Sequence, residues 1–163
     1  SIKKNLYLLI KMPKIYMIKH GKGSPGLRLL GLGPIFMIRK GYTQLKNLLD
    51  RNAFWAKNRD KKFLKRMLKE SSIAISLWDG VKMIGFGRAL SDGLYRAVLW
   101  DIVIDENYQN KGYGKTILTG LLTSKALEKV EKIYIMTTHC QEFYKKQGFK
   151  EVKQKLLLYE PEI

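Results

Sequence analysis

Two stretches of this chain carry residues whose types and spacing suit chemistry. One is Gln109-Asn110-Lys111-Gly112-Tyr113-Gly114-Lys115, with two glycines one residue apart; the other is Leu99-Trp100-Asp101-Ile102-Val103-Ile104, an apolar run holding one carboxylate. Glycines let a backbone turn tightly and let a ligand come close to it. Beyond the step, Ile117, Leu118, Leu121, Leu122 and Leu127 recur at helical spacing. The step therefore opens a helix whose free N–H groups and positive dipole end face the loop before it. A phosphate-bearing ligand suits such a terminus, and Lys111 and Lys115 add positive charge. A plain strand-to-helix connection accounts for the same glycines. The third glycine of a dinucleotide fingerprint and the Gly-Lys-Ser/Thr of a P-loop are both absent.

Asp101 is unusual because carboxylates seldom sit inside apolar strands. Either desolvation raises it into a useful base, or it pairs with a cation such as Arg88 or Arg96. Strand alternation puts Trp100 on the opposite face. In Thr137-Thr138-His139-Cys140, a lone loop histidine reads more often as surface than as catalyst. Cys140 reads as a packing residue, since no neighbouring base is evident to activate it.

The elements that must position these residues follow in order. Residues 1–26 are basic and end in Gly21-Lys22-Gly23-Ser24-Pro25-Gly26, which reads as a flexible arm and linker. Residues 27–163 read as one domain. A short strand is expected over 35–39. Thr43 caps a helix carrying Leu45, Leu48, Leu49 and Phe54, and Asn58 caps a second with Phe63, Leu64, Met67 and Leu68 on one face. Strands are expected over 73–78 and 82–89, joined by the hairpin signal Asp79-Gly80. Asp92-Gly93 then turns into a third strand over 94–104. Strand, helix and strand from 99 to 136 form a parallel crossover. A short helix over 141–147 stops at Gly148, and strands over 149–153 and 155–159 close the sheet. The fold class is α/β, a mixed sheet flanked by about four helices.

Gln109-Asn110-Lys111-Gly112-Tyr113-Gly114 resembles the Arg/Gln-x-x-Gly-x-Gly/Ala signature of the GCN5-related N-acetyltransferases, the GNAT superfamily. Glu142-Phe143-Tyr144-Lys145-Lys146-Gln147-Gly148-Phe149 is similar to the segment that follows that family's fifth strand. Ala53-Phe54-Trp55-Ala56-Lys57-Asn58-Arg59 and Ile84-Gly85-Phe86-Gly87-Arg88-Ala89 resemble a cyanobacterial and plastid-encoded branch, related to serotonin (arylalkylamine) and plastid protein acetyltransferases. The resemblance covers roughly residues 35 to 160. It implies a central mixed sheet with a splayed parallel pair and acetyl-CoA as cosubstrate, with no metal. The pyrophosphate would lie on backbone N–H groups of Gln109, Asn110, Lys111, Gly112, Tyr113, Gly114 and Lys115. The pantetheine arm would pair with Ile102, Val103 and Ile104, and an N–H near Val103 would polarise the thioester carbonyl. Tyr144 matches the family's proton donor to the leaving sulfur, Asp101 is a candidate base, and Trp55 and Trp100 are candidates for the acceptor side. The acceptor implied is an arylalkylamine such as serotonin or tryptamine, with a protein lysine or N-terminal amine as the alternative. The resemblance also implies a plastid stroma setting, otherwise the cytoplasm, and admits a homodimer.

Composition bounds these readings. The 163 residues suit one core, and 45% are hydrophobic. The single cysteine excludes an internal disulfide, and no cysteine–histidine cluster suggests zinc. Apolar runs are too short for a transmembrane helix. The net charge is +17, and residues 1–70 hold 18 basic against 3 acidic side chains. The lysine excess fits an AT-rich genome such as a plastid's, yet it still creates a field that attracts anionic partners. A nucleic-acid- or ribosome-binding protein is therefore the competing class, although no stacking platform or recognition helix accompanies the charge.

Overall fold

The computed structural model describes residues 15–21 and 40–163. The strand expected over 35–39 and the rest of the expected arm lie outside the described residues. Among the described residues, five strands form one sheet in the order β1-β2-β3-β4-β5. They are β1 (Ile15–Gly21), β2 (Ile73–Asp79), β3 (Lys82–Ser91), β4 (Arg96–Ile104) and β5 (Lys132–Ile135). The first four pair antiparallel, and β5 joins β4 in parallel. The helices are α1 (Gly41–Asn52), α2 (Lys61–Glu70), α3 (Tyr113–Leu122) and α4 (Gln141–Lys146).

The sheet buries both faces, which is why β2 reads as a nearly unbroken apolar run. Ala74 and Trp78 of β2, with Phe86 and Val103, pack against Leu45, Leu48 and Leu49 of α1 and Leu64 and Leu68 of α2. Ile73, Ile75 and Leu77 face the other way, onto Ile117, Leu118 and Leu121 of α3. The strand β1 replaces the expected arm over residues 15–21. Its alternation splits Ile18 to the α1 side and Ile15 and Met17 to the α3 side, and all seven residues pair with β2.

Five local expectations also change. Helix α1 starts at Gly41 after Lys40 in the left-handed region, so Thr43 is not its cap and instead accepts a hydrogen bond from Lys61 Nζ. Asp60 rather than Asn58 caps α2, accepting from the Lys62 N–H at 2.7 Å. Phe54 belongs to a separate 3-10 turn with Trp55 and Ala56, and Leu127 to another after α3. Residues 147–163 form no helix or strand, so the two closing strands are not found. Leu156, Leu157 and Leu158 have strand-like composition, but they are 74%, 88% and 82% exposed, without the packing that would turn composition into a strand.

Candidate active site

The site is organised by an irregularity in β4. Phe86 pairs with Val103 and Arg88 with Trp100, so Gly87 alone faces both Asp101 and Ile102. This is a β-bulge, and Asp101 carries its strain at φ 54. The bulge cancels the simple alternation expected of Trp100 and Asp101. Leu99 and Ile102, three residues apart, both pack on the α3 side. A side chain at the opposing position would crowd two isoleucines, and glycine avoids this. A Cβ on Gly87 would lie 2.7 Å from Ile117 Cγ2 and 3.2 Å from Ile102 Cγ1.

The Asp101 carboxylate is 1% exposed and accepts from three donors. Arg88 Nε and Arg59 Nη1 both donate to Oδ2 at 2.8 Å, and Trp55 Nε1 donates to Oδ1 at 3.1 Å. Burial pushes the carboxyl up, but the hydrogen bonds from Arg59 and Arg88 and their charges outweigh it and hold it below the usual range. This corrects the reading of Asp101 as a base raised by desolvation. Of the two cations considered for it, Arg88 is the partner, whereas Arg96 reaches Glu131. Arg59 was not anticipated. Its sequence signal is its place at the end of the Ala53-to-Arg59 stretch, and a carboxylate dehydrated this completely calls for more than one cation.

Beside the bulge the sheet opens. The parallel pairing runs only from Arg96 to Leu99 on β4, opposite Lys132 to Ile135. Among the described residues no strand continues along that edge beside Ile102, Val103 and Ile104. The Ile104 carbonyl accepts from Gln109 Nε2 at 3.0 Å. Helix α4 follows β5 and leans toward α3, where a Cβ on Gly114 would lie 3.5 Å from Phe143 Cζ. Tyr144 is buried, edge-on to Phe143 and Phe149 with ring centroids 5.0 and 5.8 Å apart. Gly148 at φ 97 ends the helix and returns the Phe149 N–H to the Tyr144 carbonyl. Burial pushes the Tyr144 phenol up to about 12, and its hydroxyl makes no hydrogen bond among the described residues.

The loop after β4 is anchored at several points. Asp105, 2% exposed, accepts from the Asn107 N–H and lies 3.6 Å from Lys82 Nζ and 3.9 Å from Arg51 Nη2. Tyr108 donates to Asp79 Oδ2 at 2.7 Å, with Lys82 and Lys111 over its ring. Asn110 (φ 60) and Gly112 (φ 86) turn the chain through left-handed conformations into α3. The first bond within that helix is Thr116 N–H to Gly112 carbonyl, which leaves the N–H groups of Tyr113, Gly114 and Lys115 without intrahelical acceptors.

Across the opening stands an aromatic wall. Trp55 and Phe54 are 48% and 61% exposed and meet edge-on at 5.1 Å. His139, from the loop after β5, lies 6.3 Å from the Phe54 ring. The structure thus brings Trp55 to Asp101 and leaves Trp100 exposed on β4. Cys140 is exposed, with its N–H donating to Thr137 Oγ1.

Residues 42–149 match the profile of the Acetyltransferase (GNAT) family. The chain belongs to that family. An uncharacterized N-acetyltransferase ycf52 of Pyropia yezoensis is 36% identical over 111 residues, covering 65% of this chain and 63% of that protein. The histone acetyltransferase TAP1 of Glycine max is 32% identical over 69 residues, 42% of this chain and 30% of its own. The chloroplastic GCN5-related N-acetyltransferase 2 of Arabidopsis thaliana is 32% identical over 69 residues, 42% of this chain and 27% of its own. The chain therefore spans less than two thirds of the length of these relatives. The crystal structure of aminoglycoside acetyltransferase meta-AAC0020, from an uncultured soil sample, superposes with a TM-score of 0.67 at 16% identity, covering 92% of this chain and 97% of that one. At that identity the likeness shows the fold.

The family this domain belongs to uses acetyl-CoA as cosubstrate. The open β4 edge and the exposed N-terminus of α3 fit that molecule. No helix of the described residues is long and apolar enough to cross a membrane.

Proposed function

We propose that this GNAT domain transfers acetyl from acetyl-CoA to a primary amine carried on a protein. Acetyl-CoA supplies an activated acyl group as a thioester. Ile102 and Val103 would hold it along the open edge of β4, and the N–H groups of Tyr113, Gly114 and Lys115 would take its phosphates. Tyr144 would be the acid. With its phenol pushed up to about 12 it keeps its proton at neutral pH, available at Oη for a leaving sulfur. Asp101 acts as a positioning residue, tying Trp55 of the acceptor wall to the β4 bulge.

The charge balance at Asp101 carries the choice of acceptor. Its single charge is met by two guanidinium groups, so it has none to spare for an ammonium, and the mouth keeps a positive balance. A small cationic amine is repelled there, whereas an amine on an acidic protein surface is attracted. The name of the soybean relative, a histone acetyltransferase, supports a protein amine as acceptor but not the acidic surface, because histones are basic. The exposed Phe54–Trp55 pair favours the second reading, an arylalkylamine such as serotonin or tryptamine, whose ring would stack there. The chloroplastic Arabidopsis relative supports a plastid setting.

The test is transfer from labelled acetyl-CoA to lysine peptides, N-terminal peptides, serotonin and tryptamine, compared by kcat/KM. Peptide acetylation at least tenfold more efficient than that of either indole amine is expected. The reverse order would move the assignment to arylalkylamines.

A further inference from the structure

Helix α2 carries a basic face with no carboxylate paired to it among the described residues. Leu64 and Leu68 bury its inner side, with Met67 partly buried beside them. On the exposed arc stand Lys62, Arg66 and Lys69, and Lys61 and Lys65 edge it on the α1 side, all five exposed; Glu70, also exposed, closes the helix. Their spacing, two rows of i and i+4, makes one continuous stripe. None of the five forms an ion pair with a carboxylate among the described residues. Lys61 bonds the Thr43 hydroxyl and Lys65 lies 5.1 Å above the Tyr42 ring. Phe63, 65% exposed, borders the stripe.

The position of the stripe matters as much as its charge. Arg59, which holds Asp101, lies two residues before α2 begins. The helix therefore starts at the acceptor wall and leads away from it. From Lys61 to Lys69 the stripe is about 12 Å long at 1.5 Å per residue. An extended peptide covers that distance in about four residues.

Resting on the protein-amine reading above, we propose that the exposed face of α2 docks an acidic segment of the protein substrate. That segment flanks the acceptor amine by about two to five residues, and Lys62 and Arg66 read its carboxylates. An acidic protein is favoured over RNA because the stripe has a single bordering aromatic and no stacking platform, and because it begins at the amine-accepting wall.

The test uses matched lysine peptides with Glu or Gln at positions two to five from the lysine, assayed with labelled acetyl-CoA. The double variant Lys62→Glu/Arg66→Glu runs beside the wild type, with Lys62→Gln/Arg66→Gln as a milder second pair. Acetyl-CoA binding is measured for each protein. The wild type is expected to prefer the acidic peptide about tenfold in kcat/KM at low salt, with the advantage shrinking at physiological salt. Charge reversal should abolish the preference, and neutralisation should weaken it. The neutral peptide's kcat/KM and acetyl-CoA affinity should stay within about twofold. Equal use of the two peptides, or a preference that survives charge reversal, overturns the docking surface while leaving protein acetylation standing. RNA that binds the stripe with steep salt dependence, together with equal peptide use, reassigns it to nucleic acid. If the wild type acetylates no peptide, the protein-amine reading falls and the docking surface with it.

Discussion

Replacing Asp101 with asparagine separates a structural tie from a catalytic base. In the folded protein its carboxylate is 1% exposed, Arg88 12% and Arg59 32%. Removing one partner of a buried ion pair costs about 3–5 kcal/mol, because the other charge stays dehydrated. Arg59 is nearly a third exposed, so water screens part of its share. Arg88 keeps most of its penalty. Asparagine retains one oxygen acceptor, but its amide N–H2 would confront a guanidinium donor. The expected loss is about 3 kcal/mol at pH 7, read as a lower urea midpoint with unchanged slope. Because the carboxyl is held below its ordinary 3.8, its contribution is present above that pH and is lost as pH falls through the folded value. The gap between wild type and Asp101→Asn should therefore persist down to about pH 4 and close only below it. Turnover per folded molecule should keep its pH profile. A stability change under about 1 kcal/mol, with turnover down about a hundredfold or more, would refute the tie and restore Asp101 as a base.

Two further perturbations test the frame around the site. Burial lowers His20 from 6.5 to about 4. Below pH 6.5 the unfolded chain takes up a proton that the folded chain refuses, so stability should fall by about 3 kcal/mol between pH 6.5 and 4. His20→Gln should flatten that slope in urea titrations, and an unchanged slope would contradict the assignment. Gly87→Ala should cost about 1–3 kcal/mol by forcing Ile117 and Ile102 apart behind the bulge. Thermal melts that match the wild type would show that the opposing position does not need glycine.

The parts of the site legible in the sequence are those fixed by local chemistry. Gly80, Gly93, Gly112 and Gly148 all adopt the positive φ that their turns demand. The glycine step sits at the start of α3, and the helix bearing Tyr144 ends where Gly148 stops it. What stayed hidden depends on contacts far apart in sequence. Alternation along β4 assumes one residue per pleat, and a bulge adds one without altering composition. The partners of Asp101 come from residues 13 and 42 positions away. Strand β1 was masked because Lys14 and Lys19 make its surroundings look like a solvated arm, although edge strands commonly carry lysine. The opposite error arose at residues 155–159, where apolar composition promised a strand but pairing is absent among the described residues.

The proposed proton donor for acetyl transfer is the buried Tyr144. Tyr144→Phe tests it cleanly, because the ring contacts with Phe143 and Phe149 survive and the hydroxyl has no hydrogen bond to lose among the described residues. The measurement is single-turnover acetyl transfer from labelled acetyl-CoA to an acidic lysine peptide, with acetyl-CoA affinity measured on the same samples. The expected result is a rate lowered by about 10²–10⁴ with affinity within about twofold. A Tyr144→Phe protein that transfers acetyl at the wild-type rate would contradict it.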